Sequence, residues 1–508
     1  MKKTALIIMV ITFLSKVFGF ARDIVLSYFY GATNITDAYL ISQTIPSVIF
    51  GFLGVAITTA YLPILSRVRS NLGEKQASLY TSKLINFFMI AITFIFVLGI
   101  TFTEPLVRIF AYGFTGETFE IAKEFTKIGL IGMYLTTLIS IFRSYLNVKE
   151  KFLVPALIGI PFNLVIIISI VLSSRTNYRV LAIGTLAALA SQLLFLIPFI
   201  KKEGFKYKLI FDTKDINLRK TFFVALPAIL GTSVNQINIL IDRTIASTLA
   251  VGGISALNYA NRLNVFIEGL FVTSLITVMY PTISNLASRN DMKKLKEIIA
   301  ESLNIVNIFI IPIVIGAMIF TKEIVSLLFQ RGSFDVNALE MTTYSLLFYS
   351  IGLIGIGVRE TLSRVFYSLQ DTKTPMLNGA IGMIVNIILN FIFSRLLGIG
   401  GLALATSISA IFTSLLMLIN LRKKIGPFGM KQISISFLKI LFASLAMGGL
   451  AKLSFNYLTA SLSQNLSLLM AIGVGAVSYF VIIYFMKIED VDVIVGAIKK
   501  KLGKGIAK

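Results

Sequence analysis

The feature that most constrains this chain is its punctuation: apolar runs of about twenty residues or more, separated by short loops that hold most of the charge. They fall near 4–29, 37–66, 82–103, 121–147, 152–173, 179–201, 219–248, 254–286, 297–320, 341–369, 375–397, 399–422, 434–457 and 466–487. Such a chain takes lipid as its solvent. In lipid each segment has to satisfy its own backbone polar groups, which selects helices. An all-α integral membrane protein of about 14 transmembrane helices is expected. Several runs exceed what a hydrocarbon layer of about 30 Å needs, so tilt, kinks or projecting ends are expected too.

Composition narrows the chemistry. Cys, His and Trp are absent. That removes disulfides, Cys/His zinc sites, His-ligated haem and catalysis by Cys or His, and no metal site or cofactor is expected. The net charge of +23 would suit a nucleic acid only if the basic groups formed one stripe or domain, and they fall instead in short clusters between apolar runs. No nucleic-acid partner is expected. The first run follows Lys2 and Lys3 and continues to about residue 29 without a small-residue cleavage site. A retained helix is expected there, not a signal peptide.

The basic clusters carry topology. One set of alternate loops collects Arg67, Arg69, Lys75, Lys149, Lys151, Lys201, Lys202, Lys206, Lys208, Lys214, Lys293, Lys294, Lys423 and Lys424. The other holds little beyond Arg108, Lys123, Arg175, Arg179, Lys322, Arg331 and Arg395. The asymmetry places both termini in the cytoplasm, with the basic loops against anionic membrane lipids.

The sequence also repeats. Asp37 to Ser66 lies over Ser255 to Ser284 at an offset of 218, with Thr59/Thr277 and Pro63/Pro281 among six identities. At an offset of 219, Glu104, Phe110 and Gly113 fall on Glu323, Phe329 and Gly332. A unit of six spans preserves orientation, so two parallel-related six-helix lobes are expected, with a ligand site between them. The organisation read from this is 1–201 for the N-lobe, 202–218 for a basic cytoplasmic linker, 219–422 for the C-lobe, 434–487 for an added C-terminal helix pair, and 488–508 for a basic tail.

Ionisable groups inside spans are costly and usually face water, a partner or a ligand. Here they are Lys16, Arg22 and Asp23 in the first span, Asp37 opening the second, Asp242 and Arg243 ending the seventh, Arg262 and Glu268 in the eighth, and Arg359, Glu360 and Arg364 in the tenth. Neighbours on a helix point about 100° apart, so an Arg22–Asp23 bridge is awkward and each is expected to have another partner. Arg359 and Glu360 suit an interhelical lock or a ligand contact. Arginine stays protonated and offers a planar fork to phosphate, so a cavity rich in it selects an anion such as pyrophosphate.

The chain resembles the MurJ (MviN) family of lipid II flippases, within the multidrug/oligosaccharidyl-lipid/polysaccharide (MOP) exporter superfamily. The likeness covers nearly the whole chain. It is carried by SKVFGFARD (15–23), GATNITDAYL (31–40), YLPILS (61–66), ALPAILGTSVNQINILIDRTIAS (225–247), YANRL (259–263), LLFQRGSF (327–334) and FYSLQDTKTP (366–375). The resemblance implies carriage of undecaprenyl-pyrophosphate-linked disaccharide-pentapeptide to the outer leaflet of the bacterial inner membrane by alternating access. It implies an ion or the membrane potential as energy source, of unknown identity. It also makes Arg22, Arg262, Asp23 and Asp37, with Lys16 where an Arg is common, the substrate-binding group; Arg359, Glu360, Asp242, Arg243 and Glu268 stand as secondary candidates on their place inside the spans alone. The last helix pair is similar to one that forms a lipid-tail groove. One departure stands out: where many members carry basic residues in the second span, this chain has Thr44, Phe50 and Gly51.

No GxxxxGK[ST] run or HExxH is present, and the acidic residues are scattered singly, which argues against an ATP motor or an intramembrane enzyme. Alternatives are a flippase for another polyprenyl-linked glycan (O-antigen, capsule or teichoic-acid unit), a cation-coupled drug exporter, and a scaffold for cell-wall synthesis proteins.

Overall fold

In the computed structural model, residues 2–212 and 214–486 are described, and side chains from residue 7 onward apart from 230 and 235. The basic tail expected at 488–508 lies outside the described residues, as do the side chains of Lys2 and Lys3. The described residues form two compact units, Met1–Ala256 with Phe329–Ala338, and Leu257–Leu328 with Leu339–Lys508.

The first unit holds α1 (Lys2–Tyr30), α2 (Asn34–Val55), a π-helical turn (Ala56–Tyr61), α3 (Leu62–Thr101), α4 (Thr103–Phe110), α5 (Gly116–Val148), α6 (Leu153–Leu157), α7 (Gly159–Arg175), α8 (Arg179–Lys202) and α9 (Ile216–Leu249). Between the units' main bodies of sequence runs α10 (Gly253–Ile267), followed in the second unit by a π-helical turn (Glu268–Val272), α11 (Thr273–Ser288), α12 (Met292–Ile319), α13 (Thr321–Phe329), α14 (Val336–Ser368), α15 (Lys373–Leu397), α16 (Ile399–Ile425), α17 (Met430–Leu458) and α18 (Gln464–Phe485).

Twelve helical stretches among the described residues are long and apolar enough to cross a membrane, against the fourteen spans expected. The difference has two sources. The expected spans 37–66 and 82–103 fall in one helical run of 68 residues, Asn34–Thr101. At about 1.5 Å per residue that run is far longer than a hydrocarbon layer of about 30 Å. It is divided at Gly73, whose φ of 81° and ψ of 175° break the helix. The expected span 4–29 is α1, which carries Lys16, Arg22 and Asp23 and stands outside the twelve.

Four aspartates start helices by accepting from otherwise unpaired backbone N–H groups: Asp215 for α9, Asp291 for α12, Asp335 for α14 and Asp371 for α15. The first unit packs around Tyr61, Tyr80, Phe88 and Tyr145, all nearly solvent-free. Two of the polar tips are satisfied by hydrogen bonds: Tyr61 Oη to Thr81 Oγ1 at 2.9 Å and Tyr80 Oη to Thr221 Oγ1 at 2.6 Å. In the second unit, α17 and α18 pack on α12, where Tyr479 Oη donates to the Ile308 carbonyl at 2.7 Å.

The linker does not loop freely. Ser78, Ser82, Lys83 and Asn86, along one side of α3, grip it in turn. Ser78 Oγ bonds both N and O of Lys206, Ser82 Oγ accepts from Lys208 N, and Asn86 Nδ2 donates to the carbonyls of Lys208 and Ile210. Lys83 closes the run with ion pairs to Asp212 at 2.8 Å and Asp215 at 2.7 Å.

Two close approaches inside the first unit follow the sequence repeat. A Cβ at Gly332 would lie 2.2 Å from the Tyr28 carbonyl oxygen, and one at Gly113 would lie 2.1 Å from that of Ser247. Gly113 and Gly332 are 219 apart, and so are Tyr28 and Ser247. Each contact is tied by hydrogen bonds: Ser333 N to Tyr28 O at 2.8 Å on one side, Gly113 N to Ser247 Oγ at 3.0 Å on the other. The loop after the third span of each repeat thus clasps the end of the first span of the other copy.

Candidate functional site

In α1, Lys16 and Asp23 are seven residues apart and share a face, since seven steps of about 100° return almost to the start. Arg22 lies one step off that face. Its side chain nevertheless folds back, and Nη2 and Nε sit 2.9 and 3.2 Å from the Asp23 Oδ1. This corrects the expectation that neighbouring residues would not bridge. The flexible guanidinium arm covers the 100° step, and burial rewards it: the Asp23 side chain is only 4% exposed and that of Arg22 16%. Tyr39 of α2, buried and bonded through Oη to Thr185 Oγ1 at 3.0 Å, lies within electrostatic reach of both. Lys16 is exposed.

Asp37 does something different from its expected cavity role. It is 1% exposed, and its carboxylate accepts from Gly252 N at 2.7 Å, Ser255 N at 2.8 Å and Ser255 Oγ at 2.5 Å. It therefore caps the start of α10 from another segment, where unpaired N–H groups and the helix dipole favour an anion. Arg243 of α9 donates to the Ile254 carbonyl at 3.2 Å and brings its charge close to the same carboxylate. Asp242 accepts from Asn238 Nδ2 at 3.4 Å within α9. Asp37 and Arg243 thus converge on residues 252–255, while Arg22, Asp23 and Lys16 stay together on α1.

In the second unit, Arg262 is exposed on α10, and half-buried Glu268 opens the π-helical turn. Such turns recur at functional sites because they re-aim side chains within a helix. Arg359 Nη2 lies 3.3 Å from Glu360 Oε1 on the same helix, so the pair does not lock two helices. The interhelical contact belongs to Arg364, whose guanidinium stands 5.7 Å from the Tyr280 ring centre of α11. Between α11 and α14 is a pocket of about 180 Å³ lined by Thr273, Ile276, Thr277, Tyr280, Glu360 and Arg364.

Sequence reasoning missed Gly252 and Ser255 as partners of Asp37. A signal existed: the repeat alignment places Ser255 opposite Asp37. Lys83 reads in sequence as one more cytoplasmic basic residue, and its pairing with Asp212 and Asp215 of the linker has no periodic signature.

The helices long and apolar enough to cross a membrane, with charged side chains buried among them, define a multi-pass membrane protein of all-helical fold. An inward-facing multidrug transporter of the MATE family shares that fold, with a TM-score of 0.69 at 15% identity over 83% of this chain and 98% of that one. The chain belongs to the lipid II flippase MurJ family, whose model matches residues 26–474. A solved lipid II flippase MurJ in an inward closed conformation has a TM-score of 0.82 and 28% identity, covering 95% of this chain and 98% of that one. Among curated relatives, the probable lipid II flippase MurJ of Vibrio cholerae is 28% identical over 96% of this chain and 97% of its own length. That of Thermotoga maritima is 28% identical over 95% and 96%.

Proposed function

We propose that this protein flips lipid II, the undecaprenyl-pyrophosphate-linked peptidoglycan precursor, from the cytoplasmic to the outer leaflet of the bacterial inner membrane. The observation that carries the reading is membership of the lipid II flippase family, matched over residues 26–474, together with the buried Arg22–Asp23 pair inside the first span. On this reading the protein catalyses no reaction. The lobes 1–201 and 219–422 alternate access, both termini are cytoplasmic, and the basic loops rest on anionic lipids. Arg22 and Arg262, with Lys16, attract the pyrophosphate through charge that no physiological pH removes. The helix pair α17–α18 supports the polyprenyl tail, and an ion or the membrane potential drives the cycle.

Complementation tests it. A bacterium depleted of its own flippase is supplied with this chain or with Arg22→Ala or Arg262→Ala, and lipid II in the outer leaflet is followed with growth. Rescue by the parent and not by equally expressed variants is expected; failure of a well-expressed parent overturns the reading and favours another polyprenyl-linked glycan as cargo.

A further inference from the structure

The pocket between α11 and α14 has charges that its packing does not require. Helices α5 and α14 are both 33 residues long and begin and end 220 positions apart, and Pro155 and Pro375 follow them at the same spacing. They are the same element in the two copies of the repeat. At the positions of Arg359, Glu360 and Arg364 the first copy has Ile139, Ser140 and Ser144, with Ile139 4% and Ser144 5% exposed. At these three positions the first copy packs with apolar and hydroxyl-bearing side chains, and the same fold does not ask for charge there. Ionisable groups held within a membrane helix without a packing need point to a ligand.

The lining has a definite chemistry. Arg364 presents a planar fork, held over Tyr280 at 5.7 Å, that suits a carboxylate. Glu360 offers an acceptor for an ammonium group, and the hydroxyls of Thr273 and Thr277 stand beside them. One arginine and one glutamate balance each other in the lining, which favours a ligand end that carries both a carboxylate and an amine. A space of about 180 Å³ admits the end of a peptide but not a disaccharide or a polyprenyl chain. We propose that this pocket binds the stem peptide of the substrate, its terminal carboxylate on Arg364 and an amine of the same peptide on Glu360. The proposal rests on lipid II being the cargo and adds a peptide-reading site, on the second unit, to the pyrophosphate-binding charges.

The test uses the whole chain in lipid nanodiscs and compares four ligands: lipid II, the same lipid without its peptide, lipid II with its terminal carboxylate amidated, and lipid II acetylated on its amine. The parent should bind lipid II about tenfold more tightly than the amidated lipid, the worth of one charge-assisted contact, and more tightly still than the peptide-free lipid. Arg364→Gln should bind intact and amidated lipid II alike. Glu360→Gln should lose discrimination against lipid II acetylated on its amine. Because the modified lipids probe the unaltered parent, a poorly folded variant does not decide the outcome. Equal binding of intact and peptide-free lipid by the parent overturns the pocket assignment and leaves the flippase reading standing. A parent that binds no polyprenyl-pyrophosphate lipid overturns both.

Discussion

Asp37 and Ser255 occupy equivalent positions in the two copies of the sequence repeat, 218 residues apart, and they are bonded to each other twice: the Asp37 carboxylate accepts from the Ser255 amide at 2.8 Å and from its hydroxyl at 2.5 Å. With Gly252 N as a third donor, a charge that sequence reasoning assigned to the substrate is spent on starting α10. Buried acceptors of this kind are expensive to remove because several donors are orphaned together.

Asp37→Ala should therefore lower stability by about 1–3 kcal/mol, and Ser255→Ala, which leaves both amide donors paired, by about 1 kcal/mol. Thermal unfolding of the purified protein in detergent checks this. A double variant no worse than Asp37→Ala alone would show that the two residues act as one unit.

The clasp at Gly332 should tolerate no side chain. Gly332 and Gly116 both have positive φ, 62° and 55°, so alanine at either bears a similar backbone penalty of about 1–2 kcal/mol. Only at Gly332 would the new Cβ also meet a backbone oxygen, at 2.2 Å, whereas nothing lies within 4 Å at Gly116. Gly332→Ala is expected to lower the unfolding temperature clearly more than Gly116→Ala; equal effects would mean the loop yields freely.

Arg22 and Asp23 can be separated into structure and function. Arg22→Ala leaves a 3%-exposed carboxylate without its guanidinium, which should destabilise by several kcal/mol by the behaviour of broken buried pairs, about 3–5 kcal/mol at the upper end. Adding Asp23→Ala should restore part of that stability. Growth rescue should not return with it, if the positive charge serves the cargo. Unfolding temperature and complementation measured on the same three proteins distinguish the two roles.

One loop should respond to acid. Asp371, between α14 and α15, accepts from Thr374 N and Oγ1 and pairs with Lys424, and these partners, Lys424 foremost, hold its carboxyl down at about 2. The unfolded value is near 3.8, so the contribution is complete above that pH and is lost as pH falls from about 4 through about 2. The unfolding temperature of Asp371→Asn should fall less steeply than the parent's across that interval.

Much of this was legible in the residues because it depends on local composition. Each expected span lies on helix, since a run of apolar side chains long enough to cross lipid has no other way to satisfy its backbone. The repeat was visible in a few identities, and Gly113 and Gly332 were among them. What misled was geometry beyond one helix turn of reasoning. A 100° step between neighbours does not keep Arg22 from Asp23 when the arm is long.

The sequence by itself determined that this chain is a helical membrane protein, built from a duplicated unit and belonging to its family, because periodicity, hydropathy and motif spacing are properties of neighbouring residues. Only the tertiary structure decided which intramembrane charges are committed to the scaffold and which remain exposed. Asp37 and Asp23 look alike in sequence, as carboxylates near the ends of apolar runs. One is sealed against the start of α10 by residues more than two hundred positions away, and the other is bound to its neighbour. A carboxylate's role is set by the donors that reach it, and those arrive through folding rather than through adjacency in the chain.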